Sequence, residues 1–493
     1  MIWRIAKKEF LLNMMTFKFA VGTILCFILM VVFVPILGKA YQERLKVYNE
    51  NIAYNGRELG KVTVYKNITP TIYRPPSVLA IFSEGLEKQL GNSATIEYDE
   101  VPDIANAAAN HYLSIFSVFD VSLIFKIVIS VLALLVAYDA ISGEREKGTL
   151  KLMLSGTVAR HEVLLGKLIA GLMVLVVPVI IAFFLGLVIL HFFPMVDLAG
   201  SDWIRIGLMF LASLVFISTM YHLGLLFSCL ARRSAVSLVL GLFLWILFAV
   251  VIPNGSAYLA AQFLPIQSED KINEQITSLR REAALEIAKE RQRLGSRYIS
   301  GHYGTSDIVG KGGFGHGYVR SGSEAYIHNQ TLDYSYEVPI KIKYADIYSE
   351  VKSGHLKSLF EQTRLSDNIS RISPISLYEK VMSALAGTDI TNFQQFINGV
   401  KPYRKDIIEY IRSRTDNFSL PSFWTPCTKE EIKTRPNKDD APPLELSDLP
   451  RFTYKSDLVG SLRHAIPDLA LLILGNVLFF AMAFAAFLKY DVR

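Results

Sequence analysis

Cysteine is nearly absent. The 493 residues hold three, with Cys26 and Cys229 in or beside apolar runs and Cys427 alone in a polar region, which excludes an internal disulfide framework and a cysteine-based zinc site. Metal-ligand spacing is missing among the nine histidines: no His-Glu-x-x-His occurs, and His111, His161, His222 and His464 stand isolated. A serine nucleophile elbow is missing as well, so nothing points to enzyme chemistry within the chain. No G-x-x-x-x-G-K-[ST] phosphate loop is present, because Leu165-Gly166-Lys167-Leu168 lacks both the upstream glycine and the final hydroxyl. Gly310-Lys311-Gly312-Gly313-Phe314-Gly315 formally fits G-x-G-x-x-G, but neither a buried strand before it nor a helix after it is evident, and it reads as a flexible loop. The formal charge of +6 is modest and gives nucleic-acid binding no support.

What the sequence has is apolar length. Hydrophobic residues make up 51% of it, and several uncharged runs approach the roughly 20 residues a membrane helix needs. The predicted fold class is membrane α-helical: six transmembrane helices, an N-terminal interfacial helix and an α+β extracytoplasmic domain built from two insertions. Residues 1–16 alternate Ile2, Trp3, Ala6, Phe10 and Met14 with Arg4, Lys7 and Lys8, as a helix lying in the membrane interface does. The predicted spans are 17–38, 113–138, 168–192, 203–230, 235–254 and 466–488, with Pro178 kinking the third. The insertions are 39–112 and 255–463, and 489–493 is a tail.

Orientation follows from the short flanks. Arg4, Lys7, Lys8 and Lys18 precede the first span, Arg232 and Arg233 join the fourth and fifth, and Lys489 and Arg493 end the sequence, whereas 193–202 has no Lys or Arg. The positive-inside rule therefore predicts both termini in the cytoplasm and the insertions outside. Within the insertions, Val62–Tyr65, Thr95–Tyr98 and Tyr334–Tyr344 read as strands. Ile272, Ile276, Leu279, Ala283 and Ile287 recur at helical spacing, Ser373-Pro374 starts a helix that Gly387 ends, and Thr391 starts another running to Arg414. Residues 430–450, charged and proline-rich, read as a linker.

One intramembrane charge needs explanation. Lys126 lies well inside the second span, where a central lysine costs roughly 2.5–3.5 kcal/mol. Ser122, Lys126 and Ser130 fall four apart, predicting one polar helix face, and Asp120 or Asp468 are the candidate counter-ions. The set reads either as a substrate path or as a structural ion pair.

The polar hairpin 139–167 joins two apolar runs and must lie at a membrane face. Gly143 and Gly148 bracket Glu144-Arg145-Glu146-Lys147, and Thr149 can cap a short helix carrying Leu150, Leu152, Met153 and Leu154. Asp139, Gly143, Glu144, Arg145, Glu146, Gly148, Thr149, Leu150, Arg160, Gly166 and Lys167 together resemble the cytoplasmic coupling loop of type-2 ABC exporter permeases. The stretches Ser376–Gly387 and Phe393–Tyr410 are similar, more loosely, to the gliding-motility and copper-enzyme-maturation permease group.

The resemblance implies a permease subunit in a cell inner membrane, prokaryotic, with no cofactor of its own. A separate ABC ATPase subunit would supply ATP and Mg chemistry and grip Gly143, Glu144, Arg145, Glu146, Gly148, Thr149 and Leu150, the two glycines setting the turns. Further implied partners are a second permease copy or paralogue, membrane lipid and a periplasmic or surface partner. Two other classes fit the same sequence: a force-transmitting membrane component through which nothing crosses, and a sensor with an external ligand domain.

Overall fold

Uncharged apolar runs must be buried or face lipid, and in the computed structural model they form six helices long and apolar enough to cross a membrane. The structure describes residues 1–105, 120–154, 159–299, 324–425, 442–454 and 458–489. Gly310–Gly315, Cys427 and the predicted start of the second span, 113–119, lie outside the described residues.

Helix α1 (Ile2–Met14) leads through Thr16, whose side chain caps the next helix by accepting from the Phe19 amide, into α2 (Phe17–Leu59). This helix has 43 residues, about 65 Å at 1.5 Å per residue, so it runs some twenty residues past the end predicted for span 1. Its far end docks on a small sheet, where Asn55 donates to the Thr71 carbonyl at 3.0 Å and accepts from the Thr71 amide at 3.1 Å. That antiparallel sheet has the order β1 (Thr71–Tyr73), β2 (Ser93–Thr95), β3 (Asp103–Ala105), with Ile72 opposite Ala94 and Ala94 opposite Ile104. Val62–Tyr65 does not form a strand, and Tyr65–Asn67 closes into a 3-10 turn instead.

Span 2 is α3 (Val121–Ile124), a π-helical turn Phe125–Ile129 and α4 (Ser130–Ala137). The signature loop forms α5 (Ser142–Glu146) and α6 (Thr149–Leu154). Spans 3 and 4 are α7 (Arg160–His191) and α8 (Gly200–Leu230). Span 5 is α9 (Ser234–Ile246), a second π turn Leu247–Val251 and α10 (Ile252–Phe263). Each π turn frees backbone groups that side chains then bind: Ser130 Oγ donates to the Lys126 carbonyl, and Ser373 Oγ donates to the Phe248 carbonyl at 2.7 Å.

Beyond span 5 come α11 (Glu269–Arg293), α12 (Glu324–Ser370), α13 (Pro374–Ala386) and α14 (Ile390–Arg414), and span 6 is α15 (Leu458–Leu488). Tyr334–Tyr344, expected as a strand, lies inside the 47-residue α12. Helix α13 starts on Ser373-Pro374 and stops on Gly387 in a left-handed conformation, as the sequence predicts.

Three cores follow. The largest unites the spans with α13 and with Leu79, Ile81 and Phe82. A second packs Ile72 and Ala94 of the sheet against Phe396 and Ile407 of α14, Val338 of α12, and Phe418 and Phe423. Arg404, 4% exposed, fastens that core by donating to the Glu97 carbonyl at 3.1 Å, the Tyr98 carbonyl at 2.7 Å and the Asp346 carboxylate at 2.5 Å. The third joins α11 to α12 through Ile272, Ile276, Tyr344 and Tyr348.

Candidate coupling loop and polar cavity

A carboxylate–guanidinium cluster at a membrane face can either wait for a partner or satisfy the ends of neighbouring helices. Here it does the second. Arg145 donates to the Ala231 carbonyl at 2.9 Å and the Cys229 carbonyl at 3.1 Å, placing a cation on the C-terminal end of α8. Glu146 accepts from the Ser234 amide at 3.0 Å and its hydroxyl at 2.7 Å, placing an anion on the N-terminal end of α9. Glu144 pairs at 2.9 Å with Lys167, which is 3% exposed and also pairs at 3.1 Å with Glu9 of α1.

The remaining signature residues act alike. Asp139 pairs with Lys18 at 2.6 Å, Arg160 donates to the Leu488 carbonyl of α15 at 2.6 Å, and Gly166 lets Ile5 of α1 lie against α7. Ser228 on α8 accepts from the Ile141 and Ser142 amides at 2.9 and 3.0 Å. The loop is thus stapled to α1 and to the near ends of every span.

Two expectations about this loop change. Leu150, expected on the partner-facing surface, is fully buried in the main core, because the turn before it folds α6 back onto the bundle. Gly148 does set that turn, with φ at +75°, a region a side chain rarely adopts. Gly143 does not set a turn: it lies within α5, where a Cβ would meet Asp139 at 3.3 Å. Exposed on the loop are Glu146, Lys147, Gly148, Thr149, Lys151 and Leu152, the last 76% exposed.

At the opposite end of the bundle, Asp120, Ser122, Lys126 and Asp468 line one cavity of about 710 Å³, together with residues of α10, α12 and α13. Asp120 caps α3 by accepting from the Leu123 amide at 2.7 Å, and also accepts from the Glu84 amide and Ser122 hydroxyl, each at 2.9 Å. Ser130 does not join the lining. The π turn Phe125–Ile129 widens the helix between them, so a four-residue spacing no longer keeps one face, and Ser130 accepts from Trp245 Nε1 at 2.8 Å instead.

The counter-ions also differ from both expected. Lys126 pairs with Glu379 of α13 at 2.9 Å, and Asp468 pairs with Arg371 at 2.6 Å. Sequence reasoning missed Glu379 and Arg371; the one available signal was α13 itself, too apolar for a surface helix, with Ile375, Leu377, Val381 and Leu385 all buried. The fully buried Tyr378 anchors it, sharing a 2.9 Å hydrogen bond with Ser213 and stacking on Phe216 at 4.3 Å. Nearby, burial pushes Asp367 up and Lys380 down from their ordinary pKa values, each drawn back by the other's charge. Among the described residues, no group of His, Cys, Asp and Glu could hold a metal ion.

A bundle of six helices long and apolar enough to cross a membrane, with a helical loop clamped across their ends, defines a polytopic helical membrane protein. The chain belongs to the ABC-2 family transporter proteins, whose family profile matches residues 3–492. It is similar to the probable ABC transporter permease protein NosY of Stutzerimonas stutzeri, with 33% identity over 154 residues, 29% of this chain and 51% of that protein. NosY of Pseudomonas aeruginosa is 36% identical over 124 residues, 24% of this chain and 44% of its own length. The chain thus spans about half the length of the curated relatives it matches.

Proposed function

We propose that this chain couples ATP hydrolysis in a separate ATPase subunit to export across a prokaryotic inner membrane. The observation that carries this reading is the stapled loop: Arg145 on α8, Glu146 on α9 and Glu144 with Lys167 on α7 bind it so tightly that a push on it moves the span ends as one body. Lys147, Thr149, Lys151 and Leu152 are the surface an ATPase groove would grip. ATP and Mg belong to that subunit, and this chain supplies no catalytic group.

The basic flanks support a loop end in the cytoplasm, with both termini there and the α11–α14 domain outside. A second permease copy or paralogue would complete the assembly, with lipid around it and a periplasmic or surface partner on the domain. One observation favours a force-transmitting reading beside export: α2 continues unbroken from the bundle into the domain.

The test uses the complex with its ATPase. Leu152→Cys, with a bifunctional thiol reagent, should cross-link to the ATPase, and reconstituted complex should move a candidate lipid or peptide in liposomes when ATP is present. Absence of any nucleotide-hydrolysing partner at residue 152 overturns the coupling; hydrolysis without movement of any candidate supports force transmission over export.

A further inference from the structure

The 710 Å³ cavity at the domain end lies within the range of small-molecule pockets, about 300–1,000 Å³, but charge and hydroxyl groups dominate its wall. Three ion pairs lie in its wall, and each joins separate elements: Lys126 of span 2 to Glu379 of α13, Arg371 after α12 to Asp468 of span 6, and Lys380 of α13 to Asp367 of α12. In each pair one member is shielded and the other open. Lys126 and Asp468 side chains are 21% and 8% exposed, whereas Glu379 and Arg371 are 50% and 36% exposed.

A ligand of one charge would strand a member of such a pair. A ligand with both charges can exchange into it, its carboxylate taking Lys126 and its ammonium taking Glu379, so that no charge is left bare. A second feature points the same way. Ser376, 5% exposed and part of the same wall, has a hydroxyl with no hydrogen-bond partner among the described residues. A buried hydroxyl left so is uncommon, and a ligand amide or carboxylate would satisfy it.

We propose that this cavity binds a small water-soluble zwitterion, an amino acid or short peptide with a free ammonium and a free carboxylate. The ligand would replace the Lys126–Glu379 contact and thereby loosen α13 from span 2. Occupancy needs no nucleotide, so the proposal goes beyond the coupling reading and can fail while that reading stands.

The test places the full chain in phosphatidylglycerol nanodiscs, where no zwitterionic headgroup competes, and titrates L-alanine and trialanine by calorimetry. Saturable binding of at least one is expected, weakened about tenfold or more by acetylating the amine, by amidating the carboxylate, or by Glu379→Gln or Lys126→Met. Ser376→Ala should weaken it less. Two results overturn the proposal: no saturable binding of either probe, or equal binding of the blocked forms. The blocked-ligand comparison uses the unaltered chain, so it decides the question even if a variant fails to fold.

Discussion

Lys167 sits where three elements meet, and its ammonium is the cation between Glu9 and Glu144. Lys167→Met leaves two half-buried carboxylates facing each other with nothing between them. The expected loss is roughly 1–3 kcal/mol, read as a lower apparent melting temperature in detergent, with Lys167→Arg keeping most of it. An unchanged melt for the methionine variant would show that the triad contributes nothing. The sequence marked Lys167, Glu144 and Arg145 as a group through the hairpin's resemblance to the permease coupling loop. It could not show what they bind, because Glu9 and the α8 carbonyls come within reach only when distant segments pack. Charges that looked like a docking surface are instead consumed by helix ends, and of the apolar positions on the short loop helix Leu152 is exposed while Leu150 is buried.

Elements add their own constraint, and the contact of α7 with α8 depends on one missing side chain. A Cβ on Gly171 would fall 2.2 Å from the ring of the buried Tyr221, whose hydroxyl donates to the Lys167 carbonyl at 3.0 Å. Gly171→Ala should therefore push the two spans apart at a cost of about 1–3 kcal/mol, seen as a lower yield of monodisperse protein and an earlier melt. Gly207→Ala, on α8 with open space around it, is the control and should change little. The misread strand at 334–344 has an element-scale cause. Tyr334, Val338 and Ile342 pack into the sheet core while Ile340, Tyr344 and Tyr348 pack onto α11. A helix buried along two faces shows apolar residues at nearly every second position, which is the period of a strand. The helices break at Arg232-Arg233, where charge marks the join, whereas α2 continues beyond the apolar run through polar sequence held by the sheet.

For the whole molecule, six candidate spans among the described residues would return the chain to the face where it began, the face that the basic flanks mark as cytoplasmic in the proposed reading. In a background with Cys427→Ser, leaving only the buried Cys26 and Cys229, an impermeant maleimide added to intact cells should label Ser413→Cys in the domain and spare Lys147→Cys in the loop. Both should label after lysis. The reverse pattern would invert the molecule and remove the loop from any cytosolic ATPase. Hydropathy and Lys/Arg bias act at the level of whole segments, which is why the sequence alone carries this expectation. The cavity was only half readable: span 2 and span 6 supplied Lys126 and Asp468, but Glu379 and Arg371 arrive from a domain whose docking onto the bundle no local pattern records.

Helix α2 has one further consequence. Roughly twenty of its residues, about 30 Å, project past the span end, with no hinge before Asn55 grips the sheet. A tilt of only ten degrees at the bilayer would swing its tip by about 5 Å, so in the force-transmitting reading the first span would act as a lever arm that magnifies small leaning in the lipid into a sizeable stroke of the distant domain.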